Sequence, residues 1–184
     1  MAETRDRKDM IDRFVEGAIR IYPTIDPEVE AAVDRIDKIA RYLDRTTERT
    51  VKAFGLNTGE FKLLLKLHQA AGQTMTAGAL ADRLDLSSSA ITNRLDRLEE
   101  DGLVTRERGT EDRRSVHVTM TPRGALVLSE AVEREAKEEK DFLGALTHEE
   151  QDRLNALLRT LILEIEDRGE LDWFHKEGSG QSEA

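Results

Sequence analysis

The chain has 184 residues, of which 36% are charged, 38% hydrophobic and 4% aromatic, with a formal net charge of −10. This length fits one domain with helical extensions and buries a core without covalent staples. The absence of cysteine excludes disulfides, thiolate metal sites, iron–sulfur clusters and cysteine nucleophiles.

The N-terminus mixes charges and lacks the apolar run of a secretion signal. The longest apolar stretches, Leu63-Leu64-Leu65 and Leu161-Ile162-Leu163, fall far short of a membrane span, so a cytoplasmic protein without membrane contact is expected. Met10, Ile11, Phe14, Val15, Ala18, Ile19 and Tyr22 recur at three- and four-residue steps and predict an amphipathic helix stopped near Pro23. Asp26 as cap and Pro27 at the first position open a second, whose stripe from Val29 to Leu43 continues loosely to Phe54 and stops at Gly55. A third helix starts at Thr58 and ends before Gly72, and a short fourth follows Thr76. A fifth follows Asp85-Leu86-Ser87 and ends at Asp101-Gly102.

The period then changes. Leu103–Arg108 and Ser115–Met120 read as two short strands, the second alternating Val116, Val118 and Met120 with Ser115, His117 and Thr119. Gly109-Thr110-Glu111-Asp112 supplies the turn of a hairpin. Thr121-Pro122 caps a long helix to about Leu143, and the capping box Thr147-His148-Glu149-Glu150 opens a last one to about Arg168. The expected fold is mainly α with a small β wing: a winged helix-turn-helix between N- and C-terminal dimerisation helices. The expected divisions are 1–25 for an extra N-terminal helix, 26–56 for a dimerisation or linking helix and 57–124 for the winged domain. Residues 125–170 hold the C-terminal dimerisation helices, and 171–184 form a partly disordered tail.

Charge sharpens the functional reading. Residues 125–184 hold 16 acidic against 7 basic side chains, whereas 102–124 carry a net +2. A basic tip on an acidic body can still bind phosphates. In the fifth helix Ile91, Leu95 and Leu98 form the expected buried stripe, and Ser89, Thr92, Asn93, Asp96 and Arg97 face the other way. Short polar groups with one arginine suit a helix in the major groove, where Arg97 can contact guanine with two hydrogen bonds. Ser87, Ser88 and Ser89 place hydroxyls and free amides where a phosphate oxygen binds. Arg113 and Arg114 at the hairpin tip suit minor-groove or phosphate contact, with a surface ion pair to Glu111 or Asp112 as the alternative.

Leu80–Leu84, Ser88–Glu99, Gly102-Leu103-Val104 and Asp112-Arg113-Arg114-Ser115-Val116 through Thr121–Gly124 resemble the MarR family of bacterial transcriptional regulators, over about residues 29–165. The resemblance implies a homodimer with interlocking terminal helices that binds a palindromic operator of double-stranded DNA. Such proteins usually repress and are released by a small ligand. It also implies that Asp112 orients Arg114 into the minor groove while Arg113 contacts phosphate. The extra N-terminal helix is similar to that of a urate- and small-anion-responsive subgroup, whose two pocket arginines match Arg94 and Arg106. The subgroup's Trp and acidic residue are not matched: the single Trp is Trp173, and Ala18 and Lys62 stand at or near those positions. Arg94, Arg106 and Lys62 together favour an anionic carboxylate or phenolate ligand. The alternative is that the two arginines hold carboxylates such as Asp96 or Glu99.

No enzyme motif competes. His68, His117, His148 and His175 have no metal-ligand spacing, and no phosphate-cradling loop or nucleophile elbow is present, so neither metal nor cofactor is expected beyond an anionic effector. The remaining alternative is a helical dimer that uses a winged fold for protein–protein contact. Leu154, Leu157, Leu158, Leu161, Ile162 and Ile165 form a stripe that needs a partner, and Trp173-Phe174 suggests docking on another chain.

Overall fold

The computed structural model describes residues 7–70, 72, 74–109 and 115–169. The chain divides into two compact units, Met1–Thr47 and Glu48–Ala184, with the division inside one long helix. In the first unit, helix α1 (Met10–Ile21) starts where the Asp9 carboxylate accepts the Ile11 and Asp12 amides, and Asp12 returns a bond to the Asp9 amide. Helix α2 (Pro27–Lys52) starts on Asp26, which accepts the Glu28 and Val29 amides. Ile11 and Val15 bury against Ala31 of α2. Arg35 clamps the start of α1 from outside, with Nε 2.9 Å from Asp9 and Nη2 2.5 Å from Asp12. The guanidinium, more than the surrounding amides, holds the Asp9 carboxyl down to about 2.

The second unit contains α3 (Thr58–Gln69), β1 (Thr74–Thr76), α4 (Ala77–Arg83), α5 (Ser88–Glu100), β2 (Val104–Arg108), β3 (Val116–Met120), α6 (Pro122–Leu143) and α7 (His148–Asp167). Each helix has a local reason to start: Asn57, Thr76, Ser87, Thr121 and Thr147 each accept an amide of the first turn. Asp85, at φ 49, makes the left-handed step between α4 and α5. Asp tolerates that conformation better than most side chains.

The sheet corrects the sequence reading in one respect. Two strands were expected, and three form, in the order β1-β3-β2 with both pairs antiparallel. The added strand is only Thr74-Met75-Thr76, too short to show alternation, and its place comes from a distant partner. Thr74 lies opposite Thr119, their hydroxyl oxygens 3.0 Å apart.

Leu63, Leu64 and Leu67 of α3, Leu80 of α4, Leu95 and Leu98 of α5, and Val104 and Val118 of the sheet are fully buried together. The start of α6 closes on this core through Gly124. A Cβ there would lie 2.1 Å from the Leu103 carbonyl oxygen and 3.1 Å from Met120 Cγ. A methyl group has no room against a backbone oxygen, so one chain must move.

Helix α7, and the two helices of the first unit taken by themselves, are different. No α7 residue is buried, and Leu157 and Leu161 remain 61% and 51% exposed. In the first unit, Met10 and Phe14 of α1 and Val29, Val33 and Ile36 of α2 are also exposed. Trp173 and Phe174 lie outside the described residues.

Replacing Gly124 with Ala is expected to lower stability by about 1–3 kcal/mol, because overpacking here meets backbone and not a flexible side chain. Chemical denaturation measures this, and an unchanged midpoint would contradict the close approach.

Candidate nucleic-acid interface

The apolar stripe decides how α5 is presented. Ile91, Leu95 and Leu98 bury while the helix packs against α3, α4 and β2. Ser88, Ser89, Thr92, Asn93 and Arg97 are thereby exposed, and Asp96 is half-buried. At the N-terminal end Ser87 Oγ accepts the Ala90 amide and sits 3.0 Å from Ser89 Oγ. The exposed first-turn amides of Ser88 and Ser89 have no acceptor among the described residues. A helix start with free amides attracts an anion through both hydrogen bonding and the helix dipole. Thr92 donates its hydroxyl hydrogen to the Ser88 carbonyl at 2.7 Å, leaving its methyl group and oxygen lone pairs outward.

The arginines of this region do three different things. Arg106, on β2, is held by two carboxylates. Its Nε and Nη2 donate to Glu99 Oε2 at 2.9 and 2.6 Å, and its Nη1 lies 2.7 Å from Asp96 Oδ1. Its own amide also donates to Glu99 Oε1. The carboxylate alternative is thus what forms at Arg106, and its effect is to tie the first wing strand to α5. The Arg106 hydrogen bonds hold the Glu99 carboxyl below its usual value of 4.5.

Arg94 is half-buried and packs on the first turn of α3. A Cβ at Gly59 would lie 2.6 Å from its Cζ, so only glycine leaves room for the guanidinium in this position. The Arg94 side chain has no hydrogen bond or ion pair among the described residues. Lys62 is exposed on α3, three residues after Gly59 and hence on the adjoining helix surface.

Arg97 is the outward cation of α5. Its side chain is 69% exposed, and Nη1 lies 3.7 Å from Oε1 of Glu60, whose side chain is only 6% exposed. Glu60 itself belongs to the capping box of α3: its Oε2 accepts the Asn57 amide, and its amide donates to Asn57 Oδ1, both at 2.9 Å. A cavity of about 440 Å³ opens beside the pair, between Glu48, Lys52, Asn57, Glu60, Arg97 and Asp101.

Glu60 and Gly59 were not singled out in the sequence. The signal for Glu60 was the Asn57-x-x-Glu60 capping-box spacing ahead of an apolar run. No local signal marks Gly59, whose role exists only through Arg94. The wing is closed at its base by the Gly109 amide on the Ser115 carbonyl at 2.9 Å. Asp112, Arg113 and Arg114 lie outside the described residues. Among the described residues no group of side chains could hold a metal ion, and no helix is long and apolar enough to cross a membrane.

A model of the MarR family matches residues 56–116, the segment from just before α3 to the first residue of β3. The transcriptional repressor YetL of Bacillus subtilis is 30% identical over 115 residues, covering 56% of this chain and 69% of YetL. The chain belongs to the MarR family. It is therefore a DNA-binding transcriptional regulator of the winged helix class and not an enzyme. The regulator PecS of Dickeya dadantii is 29% identical over 137 residues, covering 74% of this chain and 82% of PecS. The fold also matches that of Sco3205, a MarR family regulator of Streptomyces coelicolor solved in complex with DNA. The TM-score is 0.62 at 22% identity, over 75% of this chain and 91% of that one.

Within this MarR chain the Arg106 tie is expected to contribute about 1 kcal/mol, since Asp96 and Glu99 remain 49% and 39% exposed and solvent screens them. Arg106→Met removes it. A carboxyl with a depressed folded pKa stabilises above its unfolded value, here 4.5, and loses that contribution as pH falls. The stability gap between wild type and Arg106→Met should therefore hold from pH 7 down to about the unfolded value of 4.5 and shrink as pH falls below it. A gap that stays constant or widens in urea titrations carried below pH 4.5 would contradict the assignment.

Proposed function

We propose that the chain acts in the cytoplasm as a homodimeric repressor of a palindromic operator and is released by a small anionic ligand. Each protomer lays α5 in a major groove. Thr92, Asn93 and Arg97 face base edges, the Ser87–Ser89 start faces a phosphate, Arg114, oriented by Asp112, enters the minor groove, and Arg113 contacts phosphate. The observation that carries this reading is the exposed polar face of α5, with Arg97 projecting from it and two free amides at its start. The apolar residues left exposed on α1, α2 and α7 support dimerisation, because surfaces of that kind mark protein interfaces.

The effector reading rests on Arg94. A half-buried guanidinium beside the positive start of α3, without a carboxylate among the described residues, calls for an anion from outside. Lys62 adds a second cation on the adjoining surface. Arg106 commits three of its five N–H donors to Asp96 and Glu99, which neutralise its charge, so Arg94 is the stronger anion site. A carboxylate or phenolate fits this charge, in the manner of the small-anion-responsive subgroup that the extra helix resembles.

The test is titration with the upstream region of the chain's own gene and with random duplex, at two salt concentrations. Binding to both that weakens with salt, and is tighter to the former, is expected. No duplex binding at low salt would leave protein–protein contact as the function of the fold. Arg97→Ala should weaken operator binding by about 1–3 kcal/mol and relax preference at one base pair; equal losses on both duplexes would remove it from base reading. Gly59→Ala should displace the Arg94 guanidinium and blunt release by small carboxylates while leaving operator binding intact, measured as the anion concentration for half-release. Normal release in that variant would move the pocket elsewhere.

A further inference from the structure

Arg97 and Arg106 show two opposite uses of a guanidinium on one short helix-and-strand pair. Arg106 commits three of its five N–H donors to carboxylates of its own domain. Arg97 is held by a charge at 3.7 Å, beyond hydrogen-bonding distance, and its guanidinium makes no hydrogen bond among the described residues. Its donors remain available while its location is biased.

We propose that Glu60 is a positioning residue for Arg97, holding the guanidinium beside α3 so that its donors are presented to one base pair. The inference rests on the DNA reading given above. Three features of Glu60 suit it to the task. It is buried, so its pull on a cation is screened less than that of a surface carboxylate. It is itself immobile, because one carboxylate oxygen is bound by the Asn57 amide and leaves the other for Arg97. It also sits on α3, a different element from the arginine, so the contact refers Arg97 to the domain core and not to its own flexible stem.

The surroundings show why such a reference is needed. Glu48, Glu100 and Asp101 are exposed around the same cavity. Each could draw a long, mobile guanidinium to a different place. Glu60 distinguishes one location from these, which lowers the ordering cost that Arg97 meets on binding DNA. Ordering one such side chain corresponds to roughly a two- to twelve-fold change in affinity. Non-specific binding depends on charge more than on placement, so the benefit falls on the operator.

Glu60→Gln isolates this role, because Gln also serves at the third position of a capping box and keeps the side-chain volume. The preference for operator over random duplex is measured by anisotropy in four proteins: wild type, Glu60→Gln, Arg97→Ala and the double variant. The expected result is a roughly three- to ten-fold loss of preference in Glu60→Gln with random-duplex affinity retained, and no further loss when it is added to Arg97→Ala. A cap defect would instead persist in the double variant and lower its melting temperature. Full preference in Glu60→Gln, or the same loss with and without Arg97, would overturn the proposal while leaving the DNA reading intact. If Arg97→Ala keeps full preference, Arg97 reads no base, and the proposal is overturned together with the base contact assigned to Arg97.

Discussion

The burial of Ile91, Leu95 and Leu98 sets the roll of α5, and the other features of the interface follow from it. Each such side chain contributes about 1.5–3 kcal/mol when removed from water. The ion pairs around the helix are partly exposed and worth about 1 kcal/mol or less apiece. The apolar stripe therefore decides which way the helix faces, and the charges refine a position already chosen. With the stripe inward, Ser89, Thr92, Asn93 and Arg97 have nowhere to go but outward. The left-handed step at Asp85 and the cap at Ser87 determine where the helix starts, and so where its free amides point.

Around that helix the charged groups divide their labour. Arg106 and its two carboxylates connect β2 to α5. Arg94 and Arg97, three residues apart on one helix, both lean on the first turn of α3, one over Gly59 and the other beside Glu60. A disturbance at the first of these contacts lies a single helical turn from the second.

Much of this was legible in the sequence because it is local. Proline at position 27, the hydroxyls and carboxylates at helix starts, and the stripe in α5 each act within a few residues, and the elements fall where those signals place them. What was missed is tertiary. Strand β1 exists because Thr74 meets Thr119, a pairing that a three-residue segment cannot announce. Arg106 had two readings open, effector or carboxylates, and only the fold brings Asp96 and Glu99 within reach at once. Gly59 looks like an ordinary early-helix glycine until Arg94 lies across it. The capping box of Asn57 and Glu60 was visible as a spacing, but its link to Arg97 was not.

The outward face of α5 is the central claim, and the lack of native cysteine gives a direct way to probe it. A single cysteine at Asn93, in the middle of that face, is labelled with a thiol-reactive probe in the presence and absence of operator duplex. A cysteine at the exposed Glu133 of α6 serves as the control. The account predicts rapid labelling of both in the free protein, and strong protection at position 93 alone once DNA is bound. Equal labelling at position 93 with and without a duplex that is demonstrably bound would contradict it.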